Sequence, residues 1–145
     1  MAIEVAKQMN TEKLILIATA KTRNEIPFYY RFAGRLKLHE FIPAKLLKRL
    51  PWANWFFGAN TTFERELLRQ VLHETDSKFL NWAIDKIVRW ENKAVPKNYI
   101  HIHGTQDRIF PIKLVSCNVA IHSGGHLMVL SHAEEVNKII EEVTS

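Results

Sequence analysis

One cysteine, Cys117, stands among 145 residues, which excludes an intrachain disulfide framework. Glycine and proline are scarce, five of each, too few for a low-complexity or disordered chain. No apolar run approaches the about 20 residues that a membrane-crossing helix requires. At the first residues no basic stretch leads into an apolar run with a cleavage site, so no secretory signal is expected. Acidic residues number 15 against 20 basic ones, for a net charge of +5. That excess is modest, and proteins that neutralise many phosphates concentrate their cations in one strip. The expectation is a soluble cytoplasmic protein with no nucleic-acid partner and no membrane partner.

What is present suits one ordinary domain. The apolar fraction is 47%, that of a globular chain with a real core. The densest cationic stretch holds Arg31, Arg35, Lys37, Lys45, Lys48 and Arg49, and reads as a solvated helix face. Met1 to Met9 carries helical spacing through Ile3, Val5, Ala6 and Met9, and it starts without an N-cap residue. Lys13 to Ala18 is a continuous apolar strand of the kind that parallel sheets cover on both faces.

From Thr22 to Asn92 the character changes to helices rich in aromatic residues. Thr61-x-x-Glu64 reads as a capping box, and Asp76 as the cap of a helix with Phe79, Leu80, Ala83, Ile84 and Ile87 on one stripe. Trp52, Trp55, Phe56 and Phe57 read most simply as core for these helices. Pro96 ends the block, and Tyr99 to His103 returns to strand, followed by a shorter strand at Val119 to Ile121. Ser131-x-x-Glu134 reads as a second capping box, opening a helix with Val136, Ile139, Ile140 and Val143 buried. Strands alternating with helices point to an α/β domain with a parallel sheet.

Two segments carry chemistry. His103-Gly104-Thr105-Gln106-Asp107 follows one strand, and Ser123-Gly124-Gly125-His126 follows the next. Both put a titratable side chain just past a strand's C-terminal end, where open α/β sheets build their ligand sites. An Asp followed about 20 residues later by a His is the order used by Ser…Asp…His hydrolases. His101 and His103 alternate on their strand and so face one side. With no third ligand placed, no metal site and no cofactor is expected.

HGTQD followed by SGGH resembles the closing motifs of the α/β-hydrolase superfamily. MAIEVAKQ resembles the helix after that family's nucleophile elbow, where Ala2 and Ala6 suit close packing on the sheet, and KLILIATA resembles the next strand. The resemblance implies an α/β fold: the C-terminal part of an α/β-hydrolase, about three parallel strands with flanking helices. Residues 1–21 and 93–145 would form the partial core, and 22–92 an α-helical cap or lid. It implies Asp107 as catalytic acid and His126 as catalytic base. The elbow, of form Gly-x-Ser-x-Gly, would sit a few residues before Met1, and no such pattern occurs elsewhere in the sequence.

The expectation is therefore a truncated hydrolase acting, in complete form, on a small-molecule ester, thioester or related bond. The chain alone would be inactive for want of a nucleophile. Two alternatives stand beside it: a non-catalytic fragment that binds itself or a partner, and a basic surface-binding module using residues 31–57. In the family's order the strand at Lys13 to Ala18 lies beside the strand that leads into the elbow. An unpaired apolar edge there implies a homo-oligomer burying Leu14 to Ile17.

Overall fold

The computed structural model describes residues 2–9, 11–41, 53–95 and 97–144. Lys45, Lys48, Arg49, Trp52 and Pro96 lie outside the described residues. In chain order the structure shows α1 (Ala2–Ala6), β1 (Leu14–Ile17), α2 (Phe28–Arg35), α3 (Ala53–Phe57), α4 (Thr62–Glu74) and α5 (Ser77–Val88). There follow β2 (Tyr99–Gly104), β3 (Val119–Ile121), α6 (Met128–Ser131) and α7 (Ala133–Thr144), with short 3-10 turns between several elements.

The three strands form one parallel sheet in the order β1-β2-β3. Leu16 faces His101 across the first ladder, and Ile102 faces Val119 across the second. β1 and β3 are apolar runs, whereas β2 carries His101 and His103, both buried, among its apolar residues. Ile102 and Ile121 are completely buried and pack with Ala18, Met128 and Val136. Ile139 and Ile140 lie against this cluster, so the apolar stripe of α7 closes one face of the sheet. Burying each such isoleucine contributes about 1.5–3 kcal/mol relative to leaving it in water.

The helices between β1 and β2 start where local chemistry starts them. Thr61 Oγ1 accepts the Glu64 amide at 3.1 Å, and the Glu64 carboxylate accepts the Thr61 amide at 2.8 Å, so the capping box is complete. Asp76 Oδ1 accepts the amides of Lys78 and Phe79, both at 2.9 Å, and opens α5. The two ends of this helical segment are tied together at its base. Asn92 Nδ2 donates to the Lys21 carbonyl and the Arg23 amide donates to the Asn92 carbonyl, each at 2.7 Å.

Three expectations need correction. The first helix is shorter than Met1 to Met9, and Ile3 is its buried contact while Ala2 is exposed. Ser131 does not cap α7. The chain already turns helically from Leu127, with His132 N donating to the Met128 carbonyl, and Ser131 Oγ contacts His132 Nδ1 at 2.9 Å. Trp55 is not core. Its ring faces outward and is covered by the Arg108 guanidinium, 4.5 Å from the ring centre.

Candidate active site

Asp107 and His126 are brought together by the ends of β2 and β3. His126 Nδ1 lies 2.9 Å from Asp107 Oδ2. The other carboxylate oxygen, Oδ1, accepts the amides of Ile109 at 2.8 Å and Phe110 at 2.9 Å. The carboxylate is wholly buried, while the imidazole keeps about a fifth of its surface, at 22%. With Oδ1 taken up by two amide donors, Oδ2 is left to accept from the ring. Nδ1 is therefore the protonated nitrogen, and Nε2 presents its lone pair on the ring's other edge.

Two glycines allow this approach. A Cβ on Gly104, the last residue of β2, would lie 2.2 Å from the Gly124 carbonyl oxygen. The bare backbone there lets the Gln106 amide donate to the same carbonyl at 2.9 Å, locking the two loops together. Ser123 adopts a left-handed φ of 59°, turning the chain sharply after β3. Its amide donates to Thr105 Oγ1 at 2.9 Å.

His126 sits between two aromatic rings. Phe57, at the end of α3, is 5.8 Å away centre to centre, and Phe110 is 5.9 Å away. The Leu127 amide donates to the Phe57 carbonyl at 3.3 Å, so the helical segment reaches the histidine loop directly. Beyond the imidazole opens a cavity of about 910 Å³ lined chiefly by apolar groups, among them Ile17, Ala18, Phe79, Trp82 and Phe110. Ala18, just past β1, holds a left-handed φ of 47° at its wall.

In α2, Phe28 and Tyr29 face outward, whereas Tyr30 packs inward against the cluster of Ala20, Ile26, Phe110 and Val115. Burial, the neighbouring Tyr29 and the charge on Asp107 together raise the Tyr30 phenol and keep it protonated. His101 and His103 do face one side, with ring centres 5.2 Å apart and both fully buried. His103 Nε2 donates to the Phe110 carbonyl at 2.8 Å, bracing the loop that carries Asp107. Among the described residues no three His, Cys, Asp or Glu side chains gather as a metal would need. Cys117 is half-buried.

Sequence reasoning missed a buried ionic cluster beneath the site. Lys21 is buried and donates to Glu25 Oε1 at 2.8 Å, to the Ser116 carbonyl, and to His101 Nδ1, 3.0 Å away. Burial, and then the adjacent Lys21 ammonium, lower the His101 pKa from 6.5 to about 4. Burial alone would raise the Glu25 carboxyl, but the Lys21 ammonium and the amides of Lys21 and Ser116 outweigh it and lower the pKa. The i, i+4 spacing of Lys21 and Glu25 was the signal available. Nothing in the sequence says that the pair is buried.

No family model matches this sequence, and no curated protein matches it. Solved structures do. A meta-cleavage product hydrolase from Pseudomonas fluorescens IP01 (CumD), a serine-to-alanine mutant complexed with acetates, superposes with a TM-score of 0.57 at 16% identity. An alanine-to-valine mutant of a meta-cleavage product hydrolase (CumD) superposes with a TM-score of 0.57 at 15% identity. Each alignment covers 99% of this chain and 60% of the other. At that identity the likeness shows the fold, which is that of α/β-hydrolases, over about 60% of the length of the structures matched. No helix among the described residues is long and apolar enough to cross a membrane.

Proposed function

We propose that this chain is the later part of an α/β-hydrolase, with Asp107 and His126 as the acid and base of a nucleophile–His–Asp triad. The reading rests on one observation: a buried carboxylate, held by two amides, faces Nδ1 of a partly exposed imidazole at the mouth of an apolar cavity. Residues 1–21 and 93–145 make up the partial core, and 22–92 the cap. In the reaction His126 Nε2 takes the proton of an attacking hydroxyl or thiol and returns it to the leaving group. Asp107 keeps Nδ1 protonated and stabilises the imidazolium.

The nucleophile is not supplied by the described residues, among which no hydroxyl or thiol is hydrogen-bonded to His126. The isolated chain is accordingly inactive, and the complete enzyme cleaves a small-molecule ester, thioester or related bond, or a meta-cleavage product like that of the structural neighbours. Two preparations test this. The 145-residue chain should release no more nitrophenol from an activated ester than its His126→Ala variant. Fused behind a segment that supplies a Gly-x-Ser-x-Gly elbow and its strand, the chain should gain esterase activity that His126→Ala and Asp107→Asn abolish. Activity in the chain alone that depends on His126, or its absence from a folded fusion, overturns the reading.

A second reading, self-association, draws on β1. Among the described strands it pairs only with β2, leaving one ladder edge open beside the cavity, although Leu16 is already buried. A homo-oligomer joined there would protect the amides of Ile15 and Ile17 from hydrogen exchange in a concentration-dependent way. A monomer that exchanges them rapidly at every concentration removes this reading.

A further inference from the structure

Helix α2 turns its apolar face outward. Phe28, Phe32 and Leu36 recur every four residues and so share one side of the helix. Phe28 is 72% and Phe32 59% exposed, and the surface continues through Leu36 and Leu38 to Phe41, which is 80% exposed. The opposite side is pinned. A Cβ on Gly34 would lie 2.6 Å from Val88 Cγ2, so α2 meets α5 at a point where only glycine fits. Tyr30 is held inward against the cluster of Ala20, Ile26, Phe110 and Val115. The helix cannot rotate its phenylalanines into the core without undoing both contacts. Contiguous exposed apolar surface of this kind marks an interaction site.

The charge around that face says what it meets. From Ile26 to Leu38 the sequence holds three cations, Arg31, Arg35 and Lys37, and no acid. Arg35 and Lys37 are exposed beside the apolar face. Aromatic side chains flanked by Arg and Lys fit an anionic bilayer surface, where rings enter the headgroup boundary and cations meet phosphates. A second copy fits poorly, because a two-fold contact would set each cationic rim against its own like.

We infer that the outward face of α2 and the turn after it dock this protein on an anionic lipid surface, peripherally and without spanning it. This revises the expectation of no membrane partner. That expectation was drawn from the absence of a spanning segment and from the modest net charge, neither of which registers an outward-facing amphipathic helix. The docking is independent of the hydrolase reading.

Co-sedimentation of the full chain with vesicles tests it. The chain binds vesicles of phosphatidylcholine mixed with phosphatidylserine, binds those of phosphatidylcholine alone far less, and is released by added salt. Phe28→Ser with Phe32→Ser abolishes binding while leaving the circular dichroism spectrum unchanged, since both rings are exposed. Arg35→Gln with Lys37→Gln lowers partitioning about 25-fold, on the order of fivefold for each cation near the surface. Equal binding to both vesicle types, or undiminished binding by the folded double-serine variant, overturns the inference. So does light scattering that shows dimers which the double-serine variant disperses.

Discussion

Gly58 and Gly125 meet backbone to backbone: a Cβ on Gly58 would lie 3.2 Å from the Gly125 Cα. Gly58 holds a left-handed φ of 74°, just past α3, and Gly125 immediately precedes His126. The helical segment and the histidine loop are thus in contact through the two residues with least bulk. Gly58→Ala adds both a strained φ and a tight contact. It should destabilise the fold by about 1–3 kcal/mol and displace the His126 ring resonances in a proton–nitrogen spectrum. Unmoved His126 resonances in the folded variant would show that the two segments are not coupled here.

Gly104→Ala tests the other close approach. Its Cβ would fall 2.2 Å from the Gly124 carbonyl oxygen, a backbone atom with no rotamer to give way. The strand end or the histidine loop must shift, at a cost of about 1–3 kcal/mol or more. Urea unfolding of the variant should show a lowered midpoint with an unchanged slope. A midpoint equal to that of the parent chain would mean that the loop accommodates a methyl group freely.

Asp107→Asn separates charge from shape. The asparagine oxygen still accepts the Ile109 and Phe110 amides, but its NH₂ then faces Nδ1 and cannot accept from it. The ring should change tautomer, placing the proton on Nε2 and removing the lone pair from the cavity side. Nitrogen chemical shifts of His126 report this directly. If Nδ1 remains protonated in the variant, Asp107 does not set the tautomer.

How much of this was legible before any coordinates depended on whether the signal was local. The strands at Leu14–Ile17 and Tyr99–Gly104 were readable, the first as an apolar run after the Asn10-Thr11 break and the second as a return to strand after Pro96. The capping box at Thr61 was readable because its partners are three residues apart. Asp107 and His126 could be paired only through order and strand context, which the sequence also contains. Ser131 misled because its motif is the same four residues whether the preceding turn is extended or already helical. Which way α2 and Trp55 face, and whether Lys21 and Glu25 are buried, depends on partners far along the chain: Val88, Arg108, and His101 with Ser116. No local pattern encodes those.

The buried cluster at Lys21 makes stability depend on pH in a defined window. His101 Nδ1 accepts from the Lys21 ammonium, and protonating it would set two cations 3.0 Å apart. Its pKa falls from 6.5 to about 4 through burial first and then Lys21, against the Ser116 carbonyl, which favours the charge, with His103 also opposing it and Glu25 favouring it. Between those values the unfolded chain binds a proton that the folded chain refuses. Stability from this residue is therefore complete above pH 6.5 and declines as pH falls toward 4. The loss has an upper bound of about 3 kcal/mol, since each unit of pKa difference is worth about 1.4 kcal/mol. Glu25, lowered from 4.5 in the folded state, adds a loss of the same sign as acid approaches and passes its folded pKa. Urea midpoints from pH 7 down to 5 should drop in the parent chain and drop less in His101→Gln, with the other histidines common to both. Parallel pH profiles for the two proteins would show that His101 takes up its proton as readily folded as unfolded.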